Sequence, residues 1–226
     1  MTMKIERILN FLVEFYRKTE FTYKLFMRAR TMRMASSSRW FQLGWTFQNI
    51  KGNKILDVGS TGSLLPIQLA GMGYDVYSVN HRNYKDYHGL VHPNMEFIKG
   101  DIRFAMFPDE SFNTVVAVST LEHVGTKDYG NRLIENEGDL KAVKEISRIL
   151  ETDGRFIFTV PYNGTTPQPP QKTYNEETLR RLLKGLFRVV DEAYFYKKNR
   201  FWYKATSVEL KDVKGEKQTC IVAIKV

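Results

Sequence analysis

In this 226-residue chain, polar and titratable side chains follow directly on short apolar runs. Asp57-x-Gly59 closes the run Ile55-Leu56-Asp57-Val58, and Asn80-His81-Arg82 follows residues 75–79. Gly100-Asp101-Ile102 follows 95–99, Ser119-Thr120-Leu121-Glu122-His123-Val124 follows 114–118, and Pro161-Tyr162-Asn163 follows 155–160. The first group continues as a small-residue turn, Gly59-Ser60-Thr61-Gly62-Ser63, and then as an apolar helical pattern from Leu64. A strand, a glycine turn and a helix together present backbone N–H groups to a ligand. Glycine suits such a turn because a side chain would hold the ligand off the backbone. The spacing is not the dinucleotide G-x-G-x-x-G, and the P-loop lysine is missing. Read alone, the turn is either a ligand cradle or an ordinary βα connection.

His123 is the residue here that can take a proton near neutral pH, with Glu122 beside it. Both also have a structural reading, in which His123 packs or caps the next helix and Glu122 orients the loop. Tyr162 either meets a substrate or closes the sheet edge. His81 and Arg82 either flank a ligand or belong to a solvated loop. Cys220 is the one cysteine, so an internal disulfide is excluded and a cysteine-based metal site is not expected.

The elements that must position these residues alternate. Strands are expected at 54–58, 75–79, 95–99, 114–118 and 155–160, and helices at 64–71, 138–150 and 175–186. Strands separated by helices imply a parallel sheet with helices on both faces. Two last strands, 187–197 and 219–226, have only a Lys-rich connection between them, which predicts an antiparallel hairpin at one edge. The fold class is therefore α/β, a Rossmann-like, mostly parallel seven-stranded sheet with helices on both faces and a C-terminal antiparallel hairpin. Residues 1–50 read as an N-terminal helical extension packed on the core, with helices at 3–19 and 21–34, and residues 51–226 as the main domain. The proline-rich stretch 163–172 is expected to form a lid.

The net charge is +9, and residues 21–50 contain Lys24, Arg28, Arg30, Arg33 and Arg39 but no acidic residue. Such a balance suits an anionic partner, substrate or merely a soluble surface. No apolar run reaches the ~20 residues of a membrane span. The first residues lack a small-residue cleavage site, so no signal peptide and a cytoplasmic location are expected.

ILDVGSTGS, FIKGDIR, FPDESFNTVVAVSTLEHVG and LKAVKEISRILETDGRFIFTVPY stand in register along the chain. Together they resemble the class I S-adenosylmethionine-dependent methyltransferases, nearest to their small-molecule type 11-like group, from about residue 52 onward. The resemblance implies S-adenosyl-L-methionine as cofactor. It places Gly59, Ser60, Thr61 and Gly62 against the methionine part, Asp57 on the amino group, and Ser119 beneath the sulfonium. Asn80 and His81 fall at the ribose end, and Asp101 and Ile102 at the adenine. His123, Glu122 and Tyr162 are the candidates for the acceptor side. Two positions depart from the family pattern. Asn80 stands where an acidic residue usually takes both ribose hydroxyls, and Thr61 and Ser63 replace turn glycines. Related metal-holding groups carry E-x-x-E-H at the fourth loop. Here its first glutamate is replaced by Ser119, so no metal is expected.

The implied reaction is methyl transfer to a small-molecule or glycan-type acceptor, at oxygen, the acceptor being small or anionic. An RNA methyltransferase using the basic N-terminal segment is the second reading, admitted but not favoured, because no RNA-binding module and no N/D-P-P-Y/F motif is present. A non-catalytic scaffold of the same fold is the third. The oligomeric state is left open.

Overall fold

The computed structural model describes residues 37–59, 63–82, 91–128, 133–163 and 171–226. Ser60, Thr61 and Gly62, the expected helices 3–19 and 21–34, and most of the expected lid lie outside the described residues. The chain divides into two compact units, Met1–Trp40 and Phe41–Val226. In the first, only residues 37–40 are described.

In chain order the elements are α1 (Arg39–Asn49), β1 (Lys54–Val58), α2 (Leu65–Gly71), β2 (Asp75–Asn80), β3 (Met95–Lys99), β4 (Phe112–Val118), α3 (Gly138–Ile149), β5 (Leu150–Pro161), α4 (Glu176–Leu183), β6 (Phe187–Lys198), β7 (Phe201–Ala205) and β8 (Lys217–Lys225). Short 3₁₀ turns cover Ile102–Phe104, Leu121–His123 and Glu209–Lys211. The strands form one sheet in the order β3-β2-β1-β4-β5-β8-β6-β7. β1 to β5 run parallel, and β8 lies antiparallel between β5 and β6.

The central strands read as continuous apolar runs because both of their faces are covered. On one face, Leu56, Val58, Val115, Ala117, Phe156, Phe158 and Val160 pack against Ala142, Val143, Ile146 and Ile149 of α3 and Leu179, Leu182 and Leu183 of α4. On the other, Ile55, Val116, Val118, Ile157 and Val222 meet Leu65, Leu69 and Ala70 of α2 and Leu43, Trp45 and Phe47 of α1. Two of the helices have a local reason to begin where they do. α2 carries a proline in its first turn, where the missing N–H is not needed. Asn175 and Thr178 close a reciprocal capping box at the start of α4.

The seven-stranded expectation needs one correction, because the sheet has eight strands. The residues between the last two expected strands hold β7, which pairs with β6 through Tyr196↔Tyr203 and Lys198↔Phe201 and takes the sheet edge. A tight turn makes this possible, with Asn199 in the left-handed region at φ 57°. Asn tolerates that conformation better than most residues. β7 is short and flanked by Lys, Arg and Asn, so it reads as a connection. β5 also starts at Leu150, earlier than its apolar run, since it leaves α3 directly and reaches β4 across a register shift.

The strand order reverses between β1 and β4. Such a switch point opens a crevice at the carboxyl ends of the flanking strands. Gly59 and Ser119 are the first residues beyond β1 and β4, one on each side of it.

Phe158 is fully buried between the sheet and α3–α4. Phe158→Ala should therefore lower the unfolding free energy by about 3–5 kcal/mol, read by urea denaturation.

Candidate active site

Gly59 holds the end of β1 in a conformation that other residues avoid, at φ 79°. A β-carbon there would lie well inside van der Waals distance of the Thr120 side chain. Thr120 fills that space for a reason of its own: its Oγ1 donates a hydrogen bond toward Val58 O at 2.9 Å, and Val118 O lies at 3.2 Å. Gly59 N donates to Val79 O at 2.9 Å. The ends of β2, β1 and β4 are thus tied into one ledge. Asp57, 2% exposed, projects from β1 opposite Leu56 and Val58.

At the other side of the crevice, Ser119 has a left-handed backbone, φ 48°, uncommon outside glycine and found preferentially at functional positions. Thr159 of β5 holds it there, accepting from Ser119 N at its carbonyl (3.1 Å) and at Oγ1 (3.0 Å). Gln42 of α1, wholly buried, donates through Nε2 to Ser119 Oγ at 2.9 Å and to Gln218 Oε1 of β8 at 2.7 Å. Gln42 and Gln218 were not singled out from the sequence. One glutamine lies in an aromatic stretch and the other at the start of a strand, and neither has a local pattern that marks it.

The loop after β3 is built around a buried arginine. Arg103, 3% exposed, donates from Nε to both carboxylate oxygens of Asp101 at 3.1 Å and from Nη2 to Oδ2 at 2.6 Å. Its Nη1 reaches Leu133 O at 2.9 Å and Glu135 at 3.1 Å. Asp101 Oδ1 also accepts from Arg103 N at 3.0 Å, capping the 3₁₀ turn that contains Ile102. Burial pushes the Asp101 carboxyl up, but the hydrogen bonds from the Arg103 side chain and backbone, with the charges of Arg103 and His81, bring it below the ordinary carboxylate range. Both acceptors of Asp101 are therefore already engaged by Arg103, a partner that the sequence did not announce. Ile102 is buried and His81 is exposed. Asn80, 4% exposed, accepts from Arg82 N at 3.1 Å, closing its own loop.

The loop after β4 carries the remaining candidates. His123 closes the 3₁₀ turn, its N donating to Thr120 O at 3.0 Å. Its Nδ1 lies 2.8 Å from Asp128 Oδ2, with the His and Asp side chains 15% and 19% exposed. Glu122 is 2% exposed and faces the core near Tyr174, whose hydroxyl donates to Asp139 at 2.9 Å. Burial and the charges of Asp139 and Glu122 raise the Tyr174 pKa far above its ordinary value. Tyr162 is buried. It lies on the β5 face that packs on α3 and α4 and meets the Tyr194 ring at 5.0 Å. There it lines a cavity of about 440 Å³ with Leu179, Leu183, Phe187 and Ile221. Among the described residues no group of three or more metal-ligating side chains is present.

Residues 56–158 match the family model described as "Methyltransferase domain". The matched stretch carries a methyltransferase domain, and solved S-adenosylmethionine-dependent methyltransferases share the fold of this chain. Over 110 residues it is 30% identical to the eEF1A lysine and N-terminal methyltransferase of Homo sapiens, covering 46% of this chain and 15% of that protein. It is 28% identical over 133 residues to the sterol 24-C-methyltransferase erg6 of Aspergillus fumigatus, covering 52% of this chain and 32% of that one. The chain thus spans about a seventh and a third of the lengths of these relatives. The same fold is found in the Burkholderia thailandensis 1,6-didemethyltoxoflavin-N1-methyltransferase, solved with 1,6-didemethyltoxoflavin and S-adenosylhomocysteine. That likeness has a TM-score of 0.58 and 16% identity, and covers 94% of this chain and 86% of that chain.

The residues at this ledge are the ones that would hold a methyltransferase cofactor. Gly59 lets the Thr120 side chain pack where a β-carbon would stand, and Asp57 and Ser119 are the polar residues at the ends of the two flanking strands. Gly59→Ala should weaken S-adenosylhomocysteine binding at least tenfold in calorimetry. Adding Thr120→Ala should restore part of the loss, because it relieves the contact but not the φ cost of about 1–2 kcal/mol.

Arg103→Met should lower stability by about 2 kcal/mol near neutral pH, since it removes the charged hydrogen-bond partner of the half-buried Asp101 carboxylate. The Asp101 pKa is depressed in the folded state, so its contribution is present above the unfolded value of about 3.9 and lost as pH falls through the folded value. The gap between wild type and variant in urea melts should accordingly narrow below about pH 4.

Proposed function

We propose that this methyltransferase domain transfers a methyl group from S-adenosylmethionine to a hydroxyl of a small-molecule or glycan-type acceptor. Gly59, Asp57 and Ser119 would hold the methionine end of the cofactor, with Asn80, His81 and Ile102 along the adenosine. The bound cofactor supplies an electrophilic methyl on a positively charged sulfur. The protein's tasks are to align the acceptor in line with that methyl and to exclude water.

A hydroxyl must also lose its proton, and we assign that role to His123. Its ring stands on the loop directly after the Ser119 floor, partly accessible, while Glu122 is turned into the core. That placement is the observation that carries the oxygen-acceptor reading. Glu122 and Tyr162 then serve structure, one supporting the loop and the other the α4 side of the sheet. The named relatives act on protein lysine, a sterol carbon and a toxoflavin nitrogen, so the family itself does not fix the acceptor atom. We place the protein in the cytoplasm: its one cysteine is buried, and no described helix is long and apolar enough to cross a membrane.

The test is transfer of a labelled methyl group from S-adenosylmethionine into separated small-molecule, glycan, RNA and protein fractions. Label in the small-molecule or glycan fraction is expected, stable to conditions that cleave esters. Label confined to RNA or protein overturns the acceptor assignment. His123→Ala should reduce turnover about 10²-fold or more while S-adenosylhomocysteine affinity stays within about threefold.

A further inference from the structure

The loop that carries His123 is braced well beyond what a connection requires. Thr126 accepts from Asp128 N at Oγ1 (3.3 Å), and its N and Oγ1 both donate to His123 O, at 3.2 and 2.8 Å. Gly125, φ 78°, has no room for a β-carbon against Glu135 O, and its own carbonyl accepts from Glu135 N at 2.9 Å. The loop is thereby clamped to the start of α3. Within this framework His123 Nδ1 lies 2.8 Å from Asp128 Oδ2.

We propose that Asp128 is a positioning residue for the transfer reaction, holding His123 in the tautomer with the proton on Nδ1. The inference rests on the reading of His123 as the base. A neutral imidazole has one donor and one acceptor nitrogen, and an ionised carboxylate can only accept. Asp128 therefore keeps the Nδ1–H form and assigns the acceptor role to Nε2, the atom that would take the hydroxyl proton. It also fixes the ring plane and stabilises the imidazolium formed once the proton has moved to Nε2. The step balances: the acceptor O–H bond would break as the Nε2–H bond forms, and the oxygen's electron pair would form the O–CH3 bond as the S–CH3 bond of S-adenosylmethionine breaks, leaving neutral S-adenosylhomocysteine and an imidazolium. Proteases use a buried aspartate on a histidine in the same way, with the tautomer as the critical variable.

The test reads the tautomer directly. Long-range ¹H–¹⁵N spectra of the labelled full chain, above the histidine titration, distinguish Nδ1–H from Nε2–H rings, and His123→Gln identifies the His123 signals. Wild type is expected to show the Nδ1–H form. In Asp128→Asn the amide can donate to Nδ1, so the Nε2–H form should grow, while Asp128→Glu should retain the wild-type pattern. With labelled S-adenosylmethionine and the acceptor fraction that takes up label, Asp128→Asn should lower turnover about tenfold or more. S-adenosylhomocysteine affinity should stay within about threefold, and Asp128→Glu should recover part of the rate. A wild-type His123 in the Nε2–H form, or a tautomer unmoved by Asp128→Asn, overturns the proposal. The wild-type spectrum needs no variant and no acceptor. An Nδ1–H ring with no hydroxyl methylation in any fraction would instead count against the oxygen-acceptor reading, separately from the role of Asp128.

Discussion

The geometry of the crevice depends on one close contact, Thr120 occupying the space beside Gly59 where a side chain would otherwise be. The contact joins the ends of β1 and β4, the two strands that flank the reversal of sheet order. Thr120 is held by the Val58 carbonyl, so the same residue that closes the gap also fixes the distance between the strand ends. Everything beyond follows from that junction. Gly59 turns away toward the βα connection, Ser119 takes its left-handed backbone, and the 3₁₀ turn begins one residue after Thr120 and delivers His123.

Polar groups in the site are ordered by partners from distant parts of the chain. Ser119 is held by Thr159 from β5 and Gln42 from α1, and Gln42 is tied in turn to Gln218 from β8. Hydrogen bonds among buried groups of this kind restrict rotamers more than they add net stability, because each replaces a bond to water. In the loop after β3 the buried Arg103 does similar work, with Asp101 and Glu135 as counter-charges and the Leu133 carbonyl completing its donors. A buried guanidinium with several partners is a positioning device first, since desolvation offsets much of its Coulomb energy.

The aromatic and basic β6–β7 corner shows how the same sheet is extended without disturbing the crevice. β7 adds an edge strand far from the switch point, with Trp202 packed on Phe41 of α1 and Tyr203 stacked on Tyr196. Charged residues such as Lys198 and Lys204 are exposed on this edge hairpin, a common protection against edge-to-edge pairing.

Apolar runs of five or six residues, glycine turns and helical spacing are local properties, and they determined the parallel core, its helices and the strand ends where a ligand would sit. Gly59 and Ser119 could be singled out because each follows directly on such a run, Asp57 because it interrupts one, and His123 because it stands on the loop after one. What the sequence by itself could not determine was which partner each polar group would find. Arg103 on Asp101, Arg82 on Asn80, Asp128 on His123 and Gln42 on Ser119 are choices made by packing. Tyr162 is the clearest case. Its position after β5 was readable, but the face on which it lies depends on the alternation of β5 against α3 and α4, which the tertiary structure alone decides. β7 was missed for the same reason, since a short strand on an edge is stabilised by its neighbour and not by its own pattern.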